Sequence, residues 1–300
     1  MKTKVLLNPY SNRWNARARW PEADAALKNA GVDFDLSVSE RADHLVDLAA
    51  DAVKQGFTTI IVAGGDGSIG EVVNGIACSW DGKSKLPATL GILPLGSAND
   101  FVFALGLPLD LNEAAKAIAA GKTKSVDLGK CNERLFINNS GLCLEPYVTT
   151  KHERIHWIKG IARYLVAAVW AIMDKPEWRG DLKWDGGDFS GPLSLVSIGN
   201  GRRTGGFFMT PHADPFDGKL TLAFGYRGTR LGLFGALPRA FKEGEGSYIE
   251  MDGMREIHCT RLSVHLDKPS PAHTDGELFG SWLTDLDYQI FPGAAPVLTG

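Results

Sequence analysis

The sequence is poor in cysteine, in long apolar runs and in any excess of basic charge. Its 300 residues include four cysteines, Cys78, Cys131, Cys143 and Cys259, and no two form a CxxC pair. That spacing excludes a cysteine-rich zinc module and thioredoxin-type chemistry, and four in 300 is no disulfide scaffold. A reduced, cytoplasmic protein is expected. No stretch approaches the roughly 18 uninterrupted apolar residues of a membrane span. The opening residues, Met1 to Val5, run straight into a strand pattern without an apolar signal core. Lys and Arg number 32 against 35 Asp and Glu, a net charge of -3. Binding nucleic acid by bulk charge needs a basic excess, so no nucleic-acid partner is expected. With 44% hydrophobic and 22% charged residues, the chain is not a disordered one either.

Glycine, by contrast, is abundant. There are 35, where average usage of about 7% would place roughly 21. No G-X-Y period runs through the chain, so collagen is excluded. The surplus has to serve turns.

Up to about residue 127, strand and helix signals alternate. Strands are expected at Lys4–Asn8, Asp33–Val38, Thr58–Ala63 and Thr89–Leu93. Helices are expected at Pro21–Ala30, Asp43–Gln55, Ser68–Cys78, Ala98–Leu105 and Asn112–Ala120. A βαβα series predicts a parallel sheet with helices on both faces, a three-layer α/β domain. From 128 to 300 the pattern becomes short strands between Gly, Asp and Pro turns, which predicts an antiparallel β domain. Its strands are expected at Lys130–Asn138, Asp181–Trp184, Pro192–Ile198, Lys219–Phe224, Glu256–Leu266 and Asp287–Phe291. Two helical insertions, about Ile155–Met173 and Thr229–Lys242, interrupt it. The last 15 or so residues are candidates to return to the first domain.

Three turns at the carboxyl ends of the early strands carry the chemistry. Ala63-Gly64-Gly65-Asp66-Gly67-Ser68 joins a buried strand to a helix. Its glycines let the backbone turn sharply and approach a ligand. Its N–H groups and the helix start form an anion site suited to phosphates. Asp66 adds a carboxylate able to hold magnesium or accept a proton. Leu93-Pro94-Leu95-Gly96-Ser97-Ala98-Asn99-Asp100 is a second such turn, with Ser97 and Asn99 as caps or as phosphate or ribose partners. Asn8-Pro9-Tyr10-Ser11-Asn12 is the third. Ligands of α/β sheets bind at that edge. Neither a Walker A loop nor a dinucleotide GxGxxG is present.

NPYSN, GGDGSIGEVVNG and GILPLGSANDF resemble, in order and spacing, the diacylglycerol kinase catalytic domain, the family of sphingosine kinases and bacterial YegS/DgkB lipid kinases. The resemblance continues through Ile198–Gly206, Pro211–Gly218 and Thr274-Asp275-Gly276-Glu277, from about residue 4 to 293. It implies an NAD kinase-like α/β domain followed by a β-sandwich, with ATP in the cleft between them. Asn8 and Ser11 match the first nucleotide-contacting turn, and Ser39 matches a threonine near the ATP phosphates. Gly64, Gly65, Asp66, Gly67, Ser68, Ile69 and Gly70 match the main phosphate loop, and Gly96, Ser97 and Asn99 the next one. Ser68 and Ser97 stand where Thr is usual, and both keep the hydroxyl.

Glu277 matches the residue proposed as general base, with Asp66 near magnesium. The reverse assignment of these two carboxylates is left open. Asp214–Lys219 resembles the family's structural Mg2+ loop. There the Asp217 side chain and the carbonyls of Asp214 and Lys219 would be ligands, an oxygen-only set that suits a hard cation. Asn138–Pro146 departs from the family: Cys143 replaces a glycine and Pro146 follows Glu145, so the acceptor is in doubt and the donor is not. Helix 155–173 is apolar nearly all round, with His156, Lys159 and Arg163 as its main polar residues. It is either core or an acyl-chain wall or membrane-surface element.

The expected function is ATP-dependent phosphoryl transfer to a lipid hydroxyl at the membrane surface. The alternatives are a kinase of a soluble alcohol or nucleotide, and a catalytically silent nucleotide-binding regulator. The resemblance leaves a homodimer open.

Overall fold

The first sheet begins as an all-parallel array of Asp35–Val38, Thr3–Leu7, Thr59–Gly64 and Thr89–Pro94, in that spatial order. The computed structural model describes residues 2–155, 157, 161–280 and 282–300. Thr59–Gly64 is central and buried throughout, as its unbroken apolar run requires. Its alternate residues serve opposite faces. Ile60 and Val62 join Leu6, Leu90 and Ile92 against helices His44–Lys54 and Asp66–Ile76. Ile61 and Ala63 join Val5, Leu7 and Leu93 against helices Asn15–Asn29 and Leu111–Ala120. The three layers expected from the βαβα pattern are therefore present.

The same sheet continues into the second half of the chain. Strand Leu283–Leu298 sets Val297 beside Leu90 in parallel and runs antiparallel to Thr123–Cys131 and Arg261–Ser270. Trp178–Trp184 and Gly187–Leu193 complete that side. The long strand changes register between Phe291 and Ala295, at Pro292 and Gly293, and this irregularity lets one strand serve both halves. A second sheet, antiparallel throughout, has the order Met254–Cys259, Leu220–Gly225, Leu195–Gly199, Asn139–Cys143, Ala272–Thr274, Glu277–Leu278. Leu142, Val196, Leu222 and Phe224 of this sheet share a core with Leu182, Leu262, Val264 and Leu286 of the first. That is the expected sandwich.

Several expected elements are corrected. Lys130–Asn138 is a hairpin, not one strand: Thr123–Cys131 turns at Asn132 (φ +50°) into Arg134–Phe136. Pro192–Ile198 is cut at Ser194, where the chain passes from one sheet to the other. Glu256–Leu266 is likewise cut at Thr260, which the Asp185 carboxylate holds through the Thr260 N–H (3.0 Å) and Oγ1 (2.7 Å). Alternating apolar residues persist across such short turns, so pattern alone does not show the break. The first helix starts at Asn15, six residues before Pro21. The expected helix Thr229–Lys242 ends at Ala236, and a 3₁₀ turn, Pro238–Phe241, follows. Helix Ile161–Asp174 replaces the expected 155–173, and a further helix, Leu144–Arg154, precedes it. His156 and Lys159 lie outside the described residues.

Candidate active site

The three sequence-derived turns meet at one sheet edge. The Asn8 Nδ2 donates to Ser68 Oγ at 2.9 Å, and Ser11 Oγ lies 3.1 Å from the same hydroxyl. Ser97 Oγ donates to Asn12 Oδ1 at 3.0 Å. Asn12, Arg13 and Trp14 all adopt left-handed backbone (φ +50°, +55° and +71°), a costly run that a surrounding structure must hold in place. Ser39 is buried just past its strand, and its N–H donates to the Leu7 carbonyl at 2.9 Å, beside the first turn. The Gly65 and Gly96 turns touch backbone to backbone: a Cβ on Gly96 would stand 2.4 Å from Gly65 Cα. Asn99 locks that turn by accepting the Gly96 N–H at 3.1 Å. The helix after the main loop begins at Asp66, two residues earlier than expected. Asp66 to Gly70 thus open the helix; the Ile69 N–H is taken by the Gly65 carbonyl at 3.0 Å, and the N–H groups of Asp66, Gly67 and Ser68 before it have no intrahelical partner.

Asp66 has a structural task. Its Oδ1 accepts the Phe101 N–H at 2.9 Å, which ties the first phosphate turn to the helix of the second. Burial pushes its carboxyl up, against the pull of the Phe101 and Asp100 N–H groups. Asp100 is buried beside it and pushed up to about 6, first by burial and then by the Asp66 charge. Arg203 Nε, 3.1 Å from Asp100 Oδ1, supplies the counter-charge from the second half of the chain. Asp100 and Arg203 stand inside the motifs quoted above, but neither was singled out. Their pairing crosses the cleft and has no local signal.

Glu71 lies on the same helix and accepts the Leu45 N–H at 3.2 Å. Burial pushes it up to about 7, opposed by that N–H and assisted by the charges of Asp43 and Glu277. A carboxyl raised in the folded state holds its proton between its unfolded and folded values. Its contribution to stability is therefore complete below about 4.5 and falls as pH rises to about 7. Glu71→Gln keeps an acceptor for Leu45 and cannot ionise. Its stability at pH 8 is expected to exceed the parent's by about 1 kcal/mol, allowing for partial exposure. Urea denaturation at pH 5 and pH 8 checks this. A variant equal to or weaker than the parent at pH 8 removes the assignment.

The Asp275-Gly276-Glu277 turn reaches this edge from the second sheet. Asp275 (φ +50°) is buried and accepts three main-chain N–H groups, from Ile137 (3.0 Å), Asn138 (2.9 Å) and Asn139 (3.0 Å). Burial pushes its carboxyl up to about 6. Asp275 also abuts Gly70, where a Cβ would meet its Oδ2 at 2.9 Å. Glu277 is exposed and lies over the helix start: a Cβ on Gly67 would stand 2.3 Å from Glu277 Oε1. Gly67 and Gly70 thus make room for the second domain as well as for a ligand. The clash at Gly67 is with the far end of a flexible side chain. Gly67→Ala is therefore expected to fold normally, with a melting temperature within a few degrees of the parent's. Its turnover should fall at least tenfold as Glu277 is displaced. Unchanged turnover would show that the position of Glu277 is immaterial.

Next to this turn opens an apolar pocket of about 1110 Å³ including its mouth, between the outer face of the second sheet and the helical insertions. Tyr164, Ala168 and Ile172 line one wall, Leu233 and Leu237 another, and Gly205 and Gly276 the end facing the cleft. Helix Ile161–Asp174 divides its apolar residues. Ala168 and Ile172 face the pocket, while Val166, Val169, Trp170 and Met173 are exposed. The helix thus has one packed face and one exposed face.

The Asp214–Lys219 loop sits at the junction of the two halves. Asp214 Oδ1 accepts the Phe216 N–H (3.0 Å) and Asp217 Oδ1 the Lys219 N–H (2.9 Å), which leaves each carboxylate one oxygen. Buried Asp127 accepts the Gly218 (2.6 Å) and Gly293 (2.7 Å) N–H groups. Among the described residues no three His, Cys, Asp or Glu side chains converge. The remaining donors are hard oxygens, which fits a cation that keeps most of its water.

The diacylglycerol kinase catalytic domain matches residues 2–131, and the YegS C-terminal NAD kinase beta sandwich-like domain matches residues 141–299. A diacylglycerol kinase of Mycobacterium tuberculosis (strain CDC 1551 / Oshkosh) is 30% identical over 286 residues, 92% of this chain and 88% of that protein. The chain belongs to the diacylglycerol kinase family. Another relative, a diacylglycerol kinase of Staphylococcus carnosus, is 27% identical over 93% of this chain and 89% of its own length. A crystal structure of a diacylglycerol kinase from Bacillus anthracis shares the fold, with a TM-score of 0.78 at 22% identity, covering 100% of this chain and 97% of that one. Membership of the diacylglycerol kinase family accounts for the order of the turn motifs across the chain. Among the described residues, no helix is long and apolar enough to cross a membrane.

Proposed function

We propose that this protein transfers the γ-phosphoryl group of ATP to a hydroxyl of a lipid acceptor at a membrane surface. The observation that carries the reading is the meeting of Glu277 with the first turn of the phosphate-loop helix, beside the mouth of an apolar pocket. Family membership supports a lipid kinase, and the geometry supports a division of labour.

The N–H groups at the start of the Asp66–Ile76 helix, from Asp66 to Ser68, and those of the turn after Gly96, with the hydroxyls of Ser11, Ser68 and Ser97, receive the polyphosphate. The pocket receives an acyl chain, which burial of apolar surface alone would favour. Exposed Val166, Val169, Trp170 and Met173 face the lipid surface. Glu277 takes the proton of the attacking hydroxyl. It suits that role better than Asp66: Glu277 is exposed to the cleft, whereas Asp66 is buried and occupied by the Phe101 N–H. Asp217 and the carbonyls of Asp214 and Lys219 would hold Mg2+, which when bound would brace the junction at Asp127.

Labelled ATP offered with a panel of lipids in mixed micelles is expected to yield a phospholipid product. Transfer only to a water-soluble alcohol would replace the lipid reading with the soluble one. No transfer to any acceptor, with ATP still bound, would leave a regulator.

A further inference from the structure

The apolar pocket has a polar wall that the reading above does not use. Glu145 stands in the first turn of helix Leu144–Arg154 and lines the pocket with His273 and Gly276. Its Oε1 lies 3.0 Å from His273 Nε2, and its Oε2 accepts from Ser197 Oγ. His273 is 1% exposed, and its Nδ1 accepts the Gly276 N–H at 3.3 Å. A main-chain N–H can only donate, so Nδ1 is the bare ring nitrogen and the proton sits on Nε2. Nε2 therefore donates to Glu145, and one line of hydrogen bonds runs from Ser197 through Glu145 and His273 to Gly276.

Two neighbours are shaped around this line. A Cβ on Gly141 would stand 2.7 Å from His273 Nε2 and 2.8 Å from Glu145 Oε2, so only glycine leaves room for the pair. Cys143 has φ +66° and ψ -125°, a backbone region costly for any side chain. That kink ends strand Asn139–Cys143 and starts the helix at once, which brings Glu145 to His273.

We infer that Glu145 and His273 are positioning residues that hold the Gly276–Glu277 turn from inside the acceptor pocket. Asp275 anchors the turn on one side through residues 137–139. His273 anchors the other side through the Gly276 N–H, one residue before the Glu277 side chain that must meet the acceptor hydroxyl. The inference rests on the proposed role of Glu277.

The test compares His273→Leu and Glu145→Leu with the conservative His273→Asn and Glu145→Gln. Asn can still accept from the Gly276 N–H, and Gln can still accept from His273. Hydrogen exchange of the 272–280 segment and steady-state kinetics with ATP and micellar lipid are read on each, with melting temperature as a check on folding. The Leu variants are expected to exchange this segment faster and to lose about 10²-fold in kcat, the scale of a misplaced catalytic group. KM for ATP and for lipid should stay within about twofold, and the conservative variants should regain most of the kcat. Unchanged exchange, or faster exchange with unchanged kcat, overturns the inference. So does a loss confined to the lipid KM, which would make Glu145 a lipid contact. If His273→Leu does not fold, the Glu145 pair decides alone. Full activity in Glu277→Gln would instead remove the role of Glu277, and the exchange data would still report whether the turn is held.

Discussion

Glu277→Gln is expected to lower turnover of ATP with a lipid acceptor by about 10²- to 10⁴-fold, the range for loss of a positioned general base. The affinity for ATP should change little. Glutamine keeps the size of the side chain and the contact over Gly67 but cannot take a proton. The proposed nucleotide partners belong to other elements: Asn8 and Ser11 bond Ser68, and Ser97 bonds Asn12. Steady-state kinetics with equilibrium nucleotide binding separates the two effects. Near-normal turnover would remove Glu277 as the proton acceptor and return Asp66 to consideration. Lost ATP binding would make Glu277 part of the nucleotide site instead.

Asp275→Ala has the largest expected effect on stability. The carboxylate is the shared acceptor of the N–H groups of Ile137, Asn138 and Asn139, and all of them are buried with it. Alanine strands three donors, each at about 1–3 kcal/mol, and also has to adopt φ +50°. A loss of at least 3 kcal/mol or so is expected in urea denaturation, a large share of the roughly 5–15 kcal/mol of an ordinary domain. Asp275→Asn keeps one acceptor oxygen and tolerates the left-handed backbone, so it should fall between parent and alanine. A loss under about 1 kcal/mol in Asp275→Ala would mean that the three N–H groups find other partners.

Much of the edge where the three turns meet was legible in the chain. Gly64, Gly65 and Gly96 sit where the backbone must turn and two loops must touch. Asn8, Ser11, Ser68 and Ser97 are the small polar residues that such turns require. Each signal lies within a few residues of the strand that ends there, so local chemistry carries it. The same holds for the antiparallel half, although its strand breaks at Asn132, Ser194 and Thr260 were hidden. Alternation of apolar residues continues through a two-residue turn, and only pairing partners show that the sheet has changed.

The first helix was also displaced by a local rule. Proline favours the first turn of a helix, yet Pro21 lies inside Asn15–Asn29. The tertiary environment holds the left-handed residues Asn12 to Trp14 ahead of it. Glycine in these turns lets the backbone bend sharply and approach a ligand. For Gly67, Gly70 and Gly141 the structure adds another cause: each faces a side chain contributed by a distant segment.

By itself, then, the sequence determined the strand–turn–helix pattern of the candidate site's sheet edge and the order of motifs that places the chain in its family. Turn residues and caps act on their own neighbours, so their meaning survives without the fold. Tertiary structure alone decided which carboxylates work together. Asp275 reaches Asn138 across 137 residues, His273 reaches Glu145 across 128, and Arg203 reaches Asp100 across the cleft. No local pattern encodes such meetings, because they depend on how two sheets and one shared strand, Leu283–Leu298, pack. The burial that results from this packing is what raises Asp66, Asp100 and Asp275 and leaves Glu277 facing the cleft.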